Sequence, residues 1–155
     1  MSNIYIITDT SGSMAELGKN HLLEYLLRTI ADIFRQEKYS DIELFFFAWG
    51  NEIIQIEEPF EVECIGKTNI EALIAMLKEM DPGSCILLLS DGHFEYRQIK
   101  EQITERCLNV IGIIVGADAS ASVMNEVSIQ KKALKADSIT AAIALLCSFI
   151  DKEEY

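Results

Sequence analysis

The segment Asp9–Ser13, which reads DTSGS, combines one carboxylate with closely spaced hydroxyls. Asp9, Ser11 and Ser13 have the spacing D-x-S-x-S, and alternate residues of an extended loop point the same way. One carboxylate and two hydroxyls can therefore converge on one point. Oxygen ligands select hard cations such as Mg²⁺ or Mn²⁺ and disfavour zinc or copper. The segment is thus a candidate for part of a divalent-metal site.

Further oxygen ligands are available after another apolar run and at a predicted helix start. Asp91 directly follows the apolar run Cys85–Ser90, and Thr68 lies where a helix is predicted to begin. Asp9 also follows an apolar run, Ile4–Thr8. In a doubly wound α/β sheet, ligands bind in the crevice outside the carboxyl ends of the strands. Asp9 and Asp91 therefore meet in that crevice if their strands are neighbours.

A phosphate-binding loop is the main alternative for the N-terminal segment. The Walker A pattern requires a glycine, four residues and then Gly-Lys-Ser/Thr. The Gly-Lys pair at 18–19 comes one residue too late after Gly12, and Asn20 replaces the final hydroxyl. The Gly-Lys-Thr at 66–68 would need a glycine at position 61, which is Glu61. Neither segment therefore meets the requirements of a nucleotide-binding loop.

The composition indicates a single acidic domain. The chain has 155 residues, half of them hydrophobic, and no Pro- or Gly-rich linker divides it. We assign residues 1–151 to one domain and residues 152–155 to a short tail. The 25 acidic and 13 basic residues give a formal charge of −12, which repels nucleic-acid backbones and anionic lipid. Nucleic acid and membrane surfaces are therefore poor candidates for partners.

The cysteines and the N-terminus indicate a cytoplasmic protein. The N-terminus lacks the basic and apolar regions of a secretory signal, and no run approaches the roughly 20 apolar residues that span a bilayer. The widely spaced thiols form no C-x-x-C pair, so neither a disulfide framework nor a zinc site is expected. The four cysteines are Cys64, Cys85, Cys107 and Cys147.

Short apolar runs alternate with segments of helical periodicity along the whole chain. The runs are strand-length and show little in/out alternation, which is typical of parallel strands covered by helices on both faces. They lie at Ile4–Thr8, Ile42–Trp49, Cys85–Ser90 and Val110–Gly116. Helices are predicted at His21–Phe34, Asn69–Met80, Tyr96–Arg106, Ser122–Glu126 and Ser138–Ile150.

Two more strands complete the predicted sheet. Gly50-Asn51 is a turn signal that leads into a short antiparallel edge strand, Ile53–Ile56. The more polar segment Ile129–Ala136 is predicted as the final strand, at the opposite edge. The predicted fold class is therefore α/β. It is a three-layer, Rossmann-like, doubly wound and mostly parallel sheet of about six strands with helices on both faces.

Three motifs, in this order, resemble those of von Willebrand factor type A domains, and the resemblance covers essentially the whole chain. They are D-T-S-G-S (Asp9–Ser13), G-K-T-N (Gly66–Asn69) and S-D-G (Ser90–Gly92). The resemblance implies a metal-ion-dependent adhesion site, in which hydroxyls bind Mg²⁺ or Mn²⁺ directly and aspartates often act through water. It assigns the metal ligands to Asp9, Ser11, Ser13, Thr68 and Asp91.

The same resemblance implies a protein-binding module that is not an enzyme. An aspartate or glutamate from a partner protein would complete the shell of the metal. The segment that begins at Val110 is most similar to a small bacterial group with tellurium-resistance-associated members. That similarity implies an adaptor in a stress-response system or beside an AAA+ ATPase. The identity of the partner and the oligomeric state stay open.

Other interpretations of the same residues remain at this stage. One is a Mg²⁺-dependent hydrolase or phosphotransfer enzyme that uses Asp9 and Asp91, and another is a scaffold that binds no metal. Lys67 departs from the family pattern, which more often has a second glycine there, and its ammonium would either weaken cation binding or contact an acidic ligand. His93, two residues after Asp91, is interpreted as a surface histidine.

Overall fold

The computed structural model describes residues 1–151 and contains a six-stranded sheet with helices on both faces. The strands are β1 (Ser2–Asp9), β2 (Ile42–Trp49), β3 (Ile53–Ile56), β4 (Cys85–Ser90), β5 (Asn109–Ile114) and β6 (Leu134–Lys135). The α-helices are α1 (Lys19–Phe34), α2 (Ile70–Glu79), α3 (Arg97–Glu105), α4 (Ala121–Val127) and α5 (Ile139–Ile150). The order across the sheet is β3-β2-β1-β4-β5-β6, and only β3 runs antiparallel to its neighbour. The predicted α/β architecture is confirmed.

The central strands are buried on both faces because helices cover both sides of the sheet. Ile4 and Ile6 of β1 contribute to a core beneath α1 and α5, whereas Ile7 contributes to the opposite core beneath α2, α3 and α4. All six residues of β4 are buried. This two-sided burial explains why the strand sequences lack the in/out alternation of half-exposed strands.

Helix α1 presents one apolar stripe to the sheet. Leu23, Leu26, Leu27 and Ile30 recur at spacings of three and four residues, and each is almost completely buried. Burial of each such side chain contributes roughly 1.5–3 kcal/mol. The helix begins at Lys19, two residues earlier than predicted. Its first residue therefore lies at the same edge of the sheet as the segment that follows β1.

The final strand is much shorter than the predicted segment Ile129–Ala136, and that prediction was wrong for most of its length. A turn occupies Ile129–Lys131, and only Leu134–Lys135 pairs with β5. Side-chain hydrogen bonds replace the ladder here: Asn125 Oδ1 accepts from the Ala133 amide, and Ser128 Oγ accepts from the Gly112 amide. Such local bonds offer the backbone an alternative to strand pairing.

Among residues 1–151, no helix is long and apolar enough to cross a membrane. The predicted tail, residues 152–155, lies outside the described residues, so the assignment of one domain and a tail stays a prediction.

Candidate metal centre

Asp9 and Asp91 lie at the carboxyl ends of two neighbouring parallel strands. Asp9 is the last residue of β1, and Asp91 directly follows β4. The two strands pair in register from Ile4 with Cys85 to Thr8 with Leu89. The connections that follow β1 and β4 lead to opposite sides of the sheet, so a crevice forms between them. The condition under which Asp9 and Asp91 were expected to meet, that their strands are neighbours, is therefore fulfilled.

The carboxylate of Asp9 is completely buried and held from two directions. Its Oδ1 accepts a hydrogen bond of 2.9 Å from the Ser11 amide, and its Oδ2 accepts one of 2.5 Å from the Ser90 hydroxyl. Burial raises the pKa of Asp9 above its ordinary value, and the hydrogen bonds from Ser90 and Ser11 oppose this effect. A buried carboxylate of this kind gains stability from any cation placed near it.

Three hydroxyl-bearing residues line one pocket beside this carboxylate. The Ser11 and Ser13 hydroxyl oxygens are 3.1 Å apart, so alternate residues of the loop do converge. Thr68 lines the same pocket, which has a volume of about 400 Å³. The pocket therefore brings together the hydroxyls of two segments that are 55 residues apart in the sequence (68 minus 13).

Backbone hydrogen bonds join the two loops that carry these hydroxyls. The Gly12 amide donates to the Gly66 carbonyl at 2.8 Å, and the Ile65 amide donates to the Thr10 carbonyl at 3.0 Å. These two backbone hydrogen bonds hold the loops side by side, so the backbone itself limits the distance between the hydroxyls that the loops carry. Ser11 and Thr68 are positioned by the fold itself.

Thr68 is also held from its other side by the start of α2. Asn69 caps that helix, with its side-chain oxygen accepting from the Ala72 amide at 3.1 Å. The Asn69 amide donates to the Gly50 carbonyl at 2.8 Å, and the buried indole of Trp49 donates to the Asn69 carbonyl at 2.8 Å. Residues at the end of β2 therefore fix the backbone that follows Thr68.

Asp91 is already paired with an ammonium group. Its Oδ2 accepts a hydrogen bond of 3.0 Å from Lys19 Nζ, and its Oδ1 accepts one of 3.2 Å from the His93 amide. Lys19 also donates to both carboxylate oxygens of Asp118 at 2.9 Å. The Lys19 side chain is 1% exposed and that of Asp91 is 0% exposed. We refer to Lys19, Asp91 and Asp118 as the ion triad.

Lys19 and Asp118 stabilise each other's charged forms within the ion triad. Burial lowers the pKa of Lys19, but the hydrogen bonds to Asp118 and Asp91 outweigh this and hold that pKa above its ordinary value. The hydrogen bond from Lys19 in turn lowers the pKa of Asp118. A buried ammonium is stable only when it is paired and hydrogen-bonded in this way.

Gly116 provides the space for the Lys19 side chain. A Cβ atom at Gly116 would lie 2.4 Å from Lys19 Cδ, and the backbone there has a φ of +95°. Gly116 follows β5, so the ion triad draws residues from α1 and from segments after β4 and β5. Sequence reasoning missed this triad and considered Lys19 only as part of a failed phosphate loop. The available signal was Asp118, a third carboxylate beyond the end of a buried strand.

Lys67 and His93 lie at the rim of the crevice. Lys67 is exposed and lines the pocket, but forms no ion pair within the described part of the chain. The side chain of His93 is 44% exposed, as predicted for a surface residue, and its Nε2 lies 3.1 Å from the Asp118 carbonyl oxygen. Asp91, His93 and Asp118 are close enough to share an ion, yet Lys19 Nζ already bonds both carboxylates.

Comparisons with solved structures identify the fold. No protein-family model and no curated protein matches the sequence. One similar structure is that of proximal thread matrix protein 1 from the mussel byssus, with a zinc-occupied MIDAS motif. Its TM-score is 0.67 and its sequence identity is 12%, and the match covers 94% of this chain and 46% of that chain. Manganese-loaded TRAP protein from Plasmodium vivax has a TM-score of 0.64 and 13% identity, with 82% of this chain and 62% of that chain covered.

A third similar structure is VWA2, a paralog of ArnB from Sulfolobus acidocaldarius, with a TM-score of 0.61 and 16% identity over 90% of this chain and 43% of that chain. This chain therefore spans less than half of the mussel and Sulfolobus chains and less than two thirds of the TRAP chain. The fold is that of von Willebrand factor type A domains.

The residues of the crevice fit a hard divalent cation. The five predicted ligands offer carboxylate and hydroxyl oxygens, which is the set that Mg²⁺ and Mn²⁺ prefer, although the imidazole of His93 also lines the pocket. Asp9 supplies a buried negative charge that only hydrogen bonds compensate. The structure thus gathers all five predicted residues around one crevice: Asp9, Ser11, Ser13, Thr68 and Asp91.

Proposed function

We propose that this chain is a metal-dependent protein-binding module that captures an aspartate or glutamate side chain of a partner protein. The observation that carries the proposal is the convergence of hydroxyls from two separate segments in one pocket, beside the buried carboxylate of Asp9. Ser11, Ser13 and Thr68 would hold Mg²⁺ or Mn²⁺ directly, and Asp9 and Asp91 would hold its water molecules. The ion would supply an open coordination position for a carboxylate.

The charges of the site support capture of an anion. The hydroxyls of Ser11, Ser13 and Thr68 are neutral, and Asp91 is already ion-paired with Lys19, which Asp118 shares. The groups proposed to bind the ion directly are therefore neutral hydroxyls, which do not cancel the charge of the dication, so the ion would stay electrophilic at its open position. A carboxylate from outside is the protein group that complements that charge.

Two exposed apolar side chains near the hydroxyl-bearing loops in the sequence support a protein as the source of the carboxylate. Leu17 is 76% exposed and Ile65 is 67% exposed. Leu17 follows the Asp9–Ser13 loop by four residues, and Ile65 directly precedes Gly66, which lines the pocket. Large apolar side chains at the surface beside a polar site are typical of contact surfaces for other proteins.

A non-catalytic role fits the environment of the two aspartates better than the hydrolase alternative. Both oxygens of Asp9 accept hydrogen bonds, and so do both oxygens of Asp91. A nucleophile or general base needs an accessible oxygen within reach of the substrate. We therefore propose an adaptor, acting in the cytoplasm and in a bacterial stress-response system linked to tellurium resistance or to an AAA+ ATPase.

Affinity capture with a matched pair of variants tests the proposal. The tagged chain is incubated with lysate in Mg²⁺ or in EDTA, and Ser13→Ala is compared with Ser148→Ala, whose hydroxyl bonds to the Leu145 carbonyl on an exposed part of α5. A partner that is retained by the wild type and by Ser148→Ala in Mg²⁺, and lost with EDTA or Ser13→Ala, supports the proposal. A partner that binds equally in all four conditions contradicts it.

A further inference from the structure

The ammonium of Lys19 is a permanent cation inside the crevice that the proposed function assigns to a divalent ion. All three of its protons are used, one for Asp91 Oδ2 and two for the oxygens of Asp118. We propose that Lys19 is a resident counter-cation of the metal site, which lowers the intrinsic affinity of the site for divalent ions. The inference rests on the proposed function, since it concerns the same site.

The charge count explains the direction of the effect. Counted as carboxylates that accept hydrogen bonds, Asp9, Asp91 and Asp118 contribute three negative charges, and Lys19 contributes one positive charge, which leaves a net charge of −2 (−3 + 1). Without the ammonium the same crevice would carry −3. A divalent ion is attracted more strongly by the second arrangement, and the difference is large where side chains are shielded from solvent.

Lys19 cannot leave the crevice when an ion arrives. Its side chain is 1% exposed, and its stem passes Gly116 at a distance that leaves no room for a Cβ atom. Asp118 also fixes the ammonium from the outer side with two hydrogen bonds. The positive charge therefore remains in place and lowers the affinity of the site for divalent ions whether or not an ion is bound. Because the ion is held less tightly, its retention in the site depends more on the carboxylate of a partner protein.

A purely positioning role for Lys19 predicts a different outcome. If Lys19 only kept Asp91 in place, its removal would loosen Asp91 and weaken ion binding. Loss of Asp118 would then act in the same direction, because it would free Lys19. The two roles are distinguished by variants that change charge with opposite signs at the ion triad.

The experiment measures Mn²⁺ binding by isothermal titration calorimetry in Lys19→Met and Asp118→Asn. Lys19→Met retains an unbranched side chain and removes a positive charge, so we expect at least tenfold tighter binding. Asp118→Asn retains the shape and removes a negative charge at a side chain that is 34% exposed, so we expect binding several-fold weaker. The double variant is expected to lie within about threefold of the wild type, because the two charge changes cancel.

Two lysine variants serve as controls. Lys67→Met removes an exposed ammonium at the pocket rim, where solvent screens the charge, and is expected to change Mn²⁺ affinity less than about threefold. Lys78→Met lies on the exposed face of α2 and is expected to leave the affinity unchanged. Circular dichroism verifies the fold of each variant.

Each outcome decides for or against the inference. Weaker or unchanged binding in folded Lys19→Met overturns it, while Mn²⁺ binding by the wild type leaves the proposed function standing. If Lys19→Met does not fold, Lys19→Gln takes its place, because it also removes the positive charge but keeps a hydrogen-bond donor for Asp91; weaker or unchanged Mn²⁺ binding in folded Lys19→Gln overturns the inference. Absence of Mn²⁺ binding in the wild type and in every variant overturns both the inference and the proposed function.

Discussion

The hydroxyl of Ser90 donates a hydrogen bond of 2.5 Å to Oδ2 of Asp9, and this bond joins the end of β4 to the end of β1. Ser90 also accepts from the Gly92 amide at 3.0 Å, so one hydroxyl orders both the buried carboxylate and the loop that carries Asp91. The same bond leaves Asp9 with a fixed orientation toward the pocket. Ser90 is therefore a supporting residue of the site although it does not line the pocket.

Replacement of Ser90 by alanine tests this support. The variant leaves a buried carboxylate oxygen without its donor, so we expect the free energy of unfolding to fall by about 1–3 kcal/mol. Urea denaturation followed by circular dichroism measures the change. Ser148→Ala is the control, because its hydroxyl lies on the surface of α5 and its loss is expected to cost less than about 0.5 kcal/mol. Equal stability of both variants would show that the Ser90–Asp9 bond contributes nothing.

Gly116→Ala tests the space reserved for Lys19. The new Cβ would lie 2.4 Å from Lys19 Cδ, on a backbone with a φ of +95°. The variant would therefore both strain the backbone at position 116 and displace the buried ammonium of Lys19, and both effects destabilise the fold. We expect a loss of more than about 3 kcal/mol in the free energy of unfolding. Gly18→Ala is a matched control, since Gly18 has a φ of +74° but nothing within 4 Å of an added Cβ. Its expected cost is about 1 kcal/mol, and a similar cost at Gly116 would contradict the argument.

Local patterns predicted the metal ligands because each lies at the end of a recognisable element. Asp9 and Asp91 follow buried strands, and Thr68 precedes α2, so the carboxyl edge of the parallel sheet gathers them. The strand-length runs and the rule for doubly wound sheets predicted where these residues would meet, and the resemblance to von Willebrand factor type A motifs assigned all five as metal ligands. The five predicted residues were found around one crevice for this reason, while their role as metal ligands stays a proposal.

Long-range packing and side-chain bonds account for what the sequence did not predict. Lys19 meets Asp91 and Asp118 across 72 and 99 residues, and the contact depends on the missing Cβ of a distant glycine. No periodicity in the chain encodes such a pair. The final strand was predicted too long because Asn125 and Ser128 bond the backbone of neighbouring segments, and strand propensity does not include that competition.

Addition of Mg²⁺ is expected to stabilise the folded chain if the proposed site binds it. A ligand that binds only the native state at 100 times its dissociation constant contributes about 2.7 kcal/mol, which corresponds to a rise in Tm of roughly 5–10 °C for a chain of this size. Differential scanning calorimetry in Mg²⁺ and in EDTA measures the shift. Ser13→Ala should abolish it, whereas Ser148→Ala should retain it. A shift that survives in Ser13→Ala would place the ion elsewhere.

The thiol of Cys64 is expected to report the charge of the site. Burial, and then the negative charges of Asp9, Glu24 and Asp91, together raise the pKa of Cys64 to about 11. Because the thiolate is the reactive form, alkylation by iodoacetamide should be slow at pH 7.5 and rise about tenfold per pH unit up to that pKa. A divalent ion beside Asp9 would offset part of that negative charge, lower the pKa of Cys64 and accelerate the reaction.

Mass spectrometry of peptides labelled between pH 7.5 and pH 10 measures the rate at Cys64, with exposed Cys107 as the internal reference. In EDTA, Cys64 should react far more slowly than Cys107 at pH 7.5, and saturating Mg²⁺ should increase the Cys64 rate alone. Ser13→Ala should remove the response to Mg²⁺ and leave the rate in EDTA unchanged, because it alters no charge near the thiol. A Cys64 rate that does not rise on addition of Mg²⁺ would contradict the placement of the ion beside Asp9, since a nearby cation lowers the pKa of a thiol.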